Sequence, residues 1–341
     1  MKTIDQLKKK YFPKGIKREL SKLNSKFFNR TTEENLTKSL KKLAIQPGSV
    51  ICVHSMLSGL GYIVGGPQTV IRAIQKAVPD CTIMMPTFPF DGSALDYLKT
   101  NPIYHRDKTP SKSGLLTETL RLYPGAKRSY HPTHPCVALG PKADYLIDGS
   151  ENSETPFGND STYGRFSDLD NAILLLIHTN NTSIVHRIQE MVDMPNLFIK
   201  EEFYAEGFDE HNKLKKYKIK IHTSILPLYI VMSAEKNKAE YVWYPDYVLL
   251  FPKYNKNRIL NKIKNENIKQ ILINRHNYFI QKDIIKTVKY HEAELASINV
   301  RSWFNKINND LIENSKKYSE YYKYEMMKSA LDKGLLSKFD S

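Results

Sequence analysis

The chain has 341 residues, with 51 Lys and Arg against 36 Asp and Glu, a formal net charge of +15, and three cysteines. That length buries a substantial core, and no apolar run is long enough to cross a bilayer, so a disulfide-stapled miniprotein and a helical membrane protein are both excluded. Cys52, Cys81 and Cys136 are isolated in spacing and read as reduced core thiols.

Residues 1–32 form a basic lead-in dotted with Leu and Phe, expected to be partly helical and to end at the cap signal Thr31-Thr32-Glu33-Glu34. Its start, MKTIDQLKKKYFPKG, lacks the apolar stretch of a signal peptide, so a cytoplasmic protein is the expectation. Ser49 to Val53 is apolar and β-branched, the mark of a buried strand. The segment HSMLSGLGYIVGG, residues 54–66, follows it and leads through Pro67 into Val70, Ile71, Ile74, Ala77 and Val78 at helical spacing. A strand end feeding a small-residue loop and then a helix is a favourable place for phosphate or polar ligand atoms; a tight turn is the bland alternative.

Farther along, Ser113-Gly114 opens a second helix whose free N–H groups would receive an anion or a carbonyl. In RSYHPTHP, residues 128–135, the prolines enforce extended backbone around His131 and His134. No cysteine or carboxylate stands at ligand spacing from that pair, so no metal is expected. Asp170-Asn171 turns into the strand Ala172 to Ile177. The loop His178 to Thr182 then enters a short helix that Pro195 should close, with His186 in its first turns. Beyond residue 200 the sequence alternates aromatic runs such as 239–244 with basic segments and offers no sharp catalytic motif. The lysine- and tyrosine-rich tail from Ser315 reads as a terminal helix.

The blocks MPTFPF (85–90), DKTPSKSGLLTETLR (107–121), YPGAKRSYHPTHPCVALGP (123–141), PFGNDSTYGRF (156–166) and AILLLIHTNNTSIVHRIQE (172–190), in that order after the HS opening, resemble the aminoglycoside 3-N-acetyltransferase family. The resemblance is dense over residues 33–190 and thins toward 310, where NYFIQKDIIKTVKYHEAEL looks like the family's closing helix. It implies an α/β fold with a central mixed sheet and helices on both faces. Residues 33–310 would be the catalytic domain and 311–341 a helical tail. The implied chemistry is acetyl transfer from acetyl-coenzyme A to a primary amine of an amino sugar.

Acyl transfer to an amine requires a thioester beside the acceptor, a base for the ammonium proton and a donor for the oxyanion. The resemblance implies His186 as general base and Ser183, three residues before it, as a hydroxyl donor. Gln189 stands where the family has a glutamate, and an amide can orient the ring but supplies no charge. Glu190 and Glu118 are the alternative orienting carboxylates. Coenzyme A is expected against Ser55, Met56 and Leu57 and against Ser111, Ser113 and Gly114, with His54, His131 and His134 lining the acceptor site. Arg128 reads as either a phosphate partner or a structural ion pair near Glu118.

Met56 and Pro135 both replace the family's usual serines. The Gln189 and Pro135 departures and the basic ends favour a nucleotide-linked sugar slightly over an antibiotic acceptor. A second reading is a catalytically degenerate relative that binds coenzyme A or a partner without transfer. A nucleic-acid or membrane role for the basic amino end is a third reading, though no nucleic-acid partner is expected because a lysine-rich composition alone places solvated lysines everywhere. A homo-oligomer is left open.

Overall fold

The computed structural model describes residues 29–179, 182–191, 197–199, 201–222, 229–234, 238–243 and 266–313. The lead-in to residue 28, Pro195, Tyr244 and the tail from residue 314 lie outside the described residues. The cap signal behaves as expected: Thr32 accepts from the Asn35 N–H and the Asn35 side chain answers the Thr32 N–H, opening α1 (Glu33–Lys41). β1 (Arg30–Thr31) precedes it and pairs in parallel with β3 (Tyr62–Ile63).

The centre of the molecule is a seven-stranded mixed sheet of order β13-β14-β8-β2-β4-β7-β6. Its three middle strands are β2 (Val50–Ser55), β4 (Thr82–Pro86) and β8 (Ala172–Ile177), and β2 runs parallel to both neighbours. β6 (Lys127–Arg128), β7 (Cys136–Leu139), β13 (Ile285–Tyr290) and β14 (Ala293–Asn299) complete it through antiparallel pairings. The expected closing helix at 277–295 is therefore corrected: it is the end of one helix followed by β13 and the start of β14. The β-branched and apolar alternation in IIKTVKY and AELASIN carried that signal.

Successive side chains of a strand point to opposite faces, so β2 feeds two cores. Ile51 and Val53 pack with Leu36 and Leu40 of α1, with Val70, Ile71 and Ile74 of α2 (Gln68–Ala77), and with Leu116 and Leu120 of a later helix. Val50 and Cys52 pack on the other face with Leu174, Leu176, Phe166, Ile188 and Trp303. Fully burying each such aliphatic side chain contributes about 1.5–3 kcal/mol. All three cysteines are free and buried.

The helices follow in chain order: α3 (Ala94–Leu98), α4 (Leu115–Arg121), α5 (Ala143–Ile147), α6 (Thr162–Ser167), α7 (Val185–Met191), α8 (Glu266–Gln281) and α9 (Val300–Glu313). A smaller three-stranded sheet, β10-β9-β5, joins β5 (Ile103–Tyr104), β9 (Phe203–Phe208) and β10 (Leu214–Ile219). It has its own apolar cluster with α3, formed by Ala94, Leu98, Ala205, Tyr217, Ile219 and Ile221. β11 (Tyr229–Ala234) and β12 (Lys238–Trp243) form a separate hairpin. No helix among the described residues is long and apolar enough to cross a membrane.

Candidate active site

Parallel strands end together on one side of a sheet, and ligand sites form in the crevice beyond those ends. A cavity of about 560 Å³ opens there. Its walls include His54 from β2, Pro86 from β4, Ser183 and His186 around the start of α7, and Ile221 and His222 just after β10. Phe88, Phe90 and the turn Asp91-Gly92-Ser93 form another wall, with Lys112, Ser113, His134 and Phe157 completing it. The pocket therefore lies between the large sheet and the small one.

His186 takes the place that the strand–loop–helix pattern predicts for it. Its ring is half-buried and its Nδ1–H donates to Gln189 Oε1 at 2.8 Å, which leaves Nε2 as the basic nitrogen. Burial holds this imidazole down at about 3; the nearby His222 lowers it further and the bond to Gln189 works the other way. His54 is likewise held at about 4 by burial. Ser183 Oγ lies 2.8 Å from the buried Tyr163 hydroxyl, so one member of that pair carries a proton toward the other.

Two carboxylate expectations are corrected. Glu190 does not orient His186: its Oε1 accepts from His222 Nε2 at 2.7 Å and from the Phe157 N–H at 3.1 Å. Arg187 meanwhile donates to the Phe157 carbonyl and to Asn159 Oδ1, so α7 clamps the Phe157 backbone from both sides. Glu118 is held by Arg121 at 2.6 Å and accepts from the Ser111 N–H, which pulls its carboxyl below the usual range. It lies outside the walls of the pocket.

The expected cofactor residues divide in the same way. Ser113 lines the pocket, its Oγ accepting from the Phe88 N–H at 2.9 Å. Ser111 instead meets Thr117 Oγ1 at 3.0 Å, and Gly114 is the backbone start of α4; neither borders the cavity. Ser55, Met56 and Leu57 also stand outside its walls, and the Met56 N–H donates to the Ile177 carbonyl. Close packing accounts for two of the loop's glycines. A Cβ on Gly59 would sit 2.2 Å from the His178 ring, and Gly61, at φ +74°, would place one 2.2 Å from the Asn29 carbonyl oxygen.

Among the acceptor-lining expectations, His54 and His134 border the pocket, whereas His131 is buried behind it. His131 Nδ1 accepts the N–H groups of Thr133 and His134, and burial holds the ring at about 4. Arg128 is neither a phosphate partner nor paired with Glu118. It is buried and donates to Thr87 Oγ1 and to the carbonyls of Thr87, Arg106 and Thr109. Among the described residues no group of three or more metal-capable side chains converges.

His222 is the residue that sequence reasoning missed. It follows YKIKI, where Tyr217, Ile219 and Ile221 alternate with exposed lysines; that period of two was the available signal for a half-buried strand arriving at the site. Its ring meets His186 edge-on at 5.2 Å and Phe157 at 5.4 Å.

A sequence model of the family described as aminoglycoside 3-N-acetyltransferase matches residues 52–308. An aminoglycoside N(3)-acetyltransferase VIII from Streptomyces fradiae is 33% identical over 179 residues, which cover 48% of this chain and 62% of that protein. The chain thus spans less than two thirds of the length of that curated relative. Among solved structures, aminoglycoside acetyltransferase AAC(3)-Xa superposes with a TM-score of 0.63 at 18% identity, covering 86% of this chain and 97% of that one. The coenzyme A complex of AAC-IIIb gives 0.58 at 15% identity, covering 84% and 97%. At those identities the structures speak for the fold, a mixed sheet with helices on both faces. With the family match running from β2 through the pocket residues to α9, the chain belongs to the aminoglycoside 3-N-acetyltransferase family.

Proposed function

We propose that this protein transfers the acetyl group of acetyl-coenzyme A to a primary amine of an aminoglycoside, with His186 as a base at the reacting nitrogen. The observation that carries this reading is the contact of His186 Nδ1 with Gln189 Oε1: the amide oxygen can only accept, so Nδ1–H donates and Nε2 keeps its lone pair, in a pocket that also holds Ser183. A neutral imidazole suits that role, and a hydroxyl beside it can donate to the oxyanion. The reading draws as well on relatives whose names state aminoglycoside N(3)-acetyl transfer and on a fold neighbour bound to coenzyme A.

The residues present fit coenzyme A. The Ser113 hydroxyl keeps its proton for a carbonyl after accepting from Phe88, Lys112 offers an exposed cation for a phosphate, and Phe88 and Phe90 give an apolar surface for the pantetheine arm. When bound, the cosubstrate supplies an acetyl thioester. His186 then takes a proton from the amine, and Ser183 is the near hydroxyl for the charge that develops on oxygen.

The test is thiol release from acetyl-coenzyme A with kanamycin or with a nucleotide-linked amino sugar as acceptor. Acceptor-dependent release with kanamycin supports the reading, and release only with the nucleotide-linked sugar moves the acceptor class. Gln189 favours one competing reading, a relative that binds without transferring, because the amide gives a forming imidazolium no compensating charge. Tight coenzyme A binding with no release for either acceptor would establish that alternative.

A further inference from the structure

The block PFGNDSTYGRF, residues 156–166, gives the pocket the ring of Phe157, and it also sets the hydroxyl of the fully buried Tyr163 against Ser183. We propose that Tyr163 is a positioning residue for acetyl transfer: its phenol donates to Ser183 Oγ and so aims the serine's own proton into the pocket, where the thioester carbonyl oxygen gains charge. This rests on the acetyl-transfer reading above and adds a group that touches neither substrate.

The phenol is held in place. α6 is capped by Ser161, whose Oγ accepts the Gly164 N–H at 3.1 Å, and the Tyr163 ring packs on Phe157 with centroids 4.7 Å apart. Phe157 in turn meets the His186 ring at 5.0 Å, and its backbone N–H and carbonyl are bonded to Glu190 and Arg187 of α7. Tyr163, Ser183 and His186 thus share one scaffold.

The direction of the bond follows from what each group can accept. Tyr163 has a single hydroxyl proton and two neighbours for it, Ser183 Oγ at 2.8 Å and the Cys136 thiol of β7. Burial pushes the phenol well above its ordinary value and the thiol up to about 12, so both keep their protons at neutral pH. An alcohol oxygen is a good acceptor and a thiol sulfur a weak one, so the phenol's proton goes to Ser183. Ser183 then has its own proton to give elsewhere, and it is the half-buried member of the pair that borders the cavity. Accepting one hydrogen bond strengthens the one that the same hydroxyl donates.

No proton changes hands between these hydroxyls. As the amine nitrogen bonds to the acyl carbon, the carbonyl electron pair moves onto oxygen and the Ser183 O–H donates to it. As the carbon–sulfur bond breaks, the carbonyl re-forms; the amine's proton passes to His186 and ends on sulfur. Tyr163 and Ser183 finish as they began.

The experiment is a double-mutant cycle of Tyr163→Phe, Ser183→Ala and both together. It reads kcat and KM for kanamycin or a nucleotide-linked amino sugar, whichever wild type turns over, with near-UV circular dichroism as the check on packing. Ser183→Ala should lower kcat on the order of 10²-fold. Tyr163→Phe should lower kcat roughly 3- to 10-fold with the acceptor KM unchanged, and should cost nothing further in the Ser183→Ala background. Fluorotyrosine at position 163, a stronger donor of nearly the same shape, should raise kcat, and it keeps the test open if the Phe variant fails to fold.

A Tyr163→Phe variant with the wild-type kcat overturns the inference, and so does Ser183→Ala with the wild-type kcat. A Tyr163→Phe loss that persists in the Ser183→Ala background also overturns it, because Tyr163 then acts through packing alone. A fluorotyrosine variant that gains nothing does the same. In each case a wild type that turns over and that His186→Ala silences leaves the parent reading standing; a wild type that transfers to neither acceptor ends both.

Discussion

Two polar clusters of this molecule, one around Glu118 and one around His186, each hold a glutamate in a hydrogen-bonded ion pair or His–Glu contact and end in opposite states. At the first, Glu118 is paired with Arg121 and the Ser111 N–H, and neighbouring Arg128 donates to four oxygens. At the second, Gln189 Nε2 and His222 Nδ1 are buried without partners among the described residues, although each residue's other polar atom is bonded. A network that satisfies every donor and acceptor holds chain segments together. One that leaves a lone pair and an N–H group unmatched in the interior gives up stability.

The largest effect expected from this contrast is chemical. His186→Ala should cost on the order of 10²–10⁴-fold in kcat for acetyl transfer while lowering the melting temperature only modestly, since the half-buried ring stands at the edge of a cavity. Steady-state rates beside a calorimetric scan check both halves, and an active variant would break the comparison on its reactive side. Next in size is Arg128→Met, which strands the Thr87, Arg106 and Thr109 carbonyls that meet the guanidinium. It should lower stability by about 3 kcal/mol in denaturant titration, with kcat per folded molecule preserved.

Acid should separate the clusters further. His54 and His131 are held at about 4 and His186 at about 3, against an ordinary 6.5, so the unfolded chain binds more protons than the native one between those limits. Stability should therefore fall as pH drops below about 6.5, by about 1.4 kcal/mol per pH unit for each such histidine until its folded value is reached. Melting curves at several acidic pH values measure the slope; a flat profile would show these rings to be protonated in the native state. The smallest effect is Glu118→Gln. Its carboxylate is partly exposed, so losing the pair with Arg121 should cost under about 1 kcal/mol and leave kcat alone.

The legible part of the fold was the part written in continuous periodicity. Ser49 to Val53, Ala172 to Ile177 and the Val70 to Val78 pattern all became the elements expected of them, because a parallel strand buried on both faces needs an unbroken apolar run and an amphipathic helix needs its stripe. Of the site, His186, Ser183, Ser113, His54 and His134 were legible through ordered motif blocks. The partnership of Glu190 was not: spacing along α7 allows it to face His186, and only the arrival of His222 from beyond β10 draws it elsewhere. The partners of the glycines at 59 and 61 were not legible either: close approach was read from their residue type, but that His178 and Asn29 make it emerges only in the folded chain.

The small sheet has a consequence for how such a protein can diversify. It carries its own apolar cluster with α3 and delivers Ile221 and His222 to a pocket whose other wall holds His54 and His186. Grafting residues 203–222 from another member would recut one side of the cavity without disturbing the parallel strands beneath the opposite side. The two sides of the cavity are in that sense inherited through separable stretches of chain, which meet only in the folded molecule.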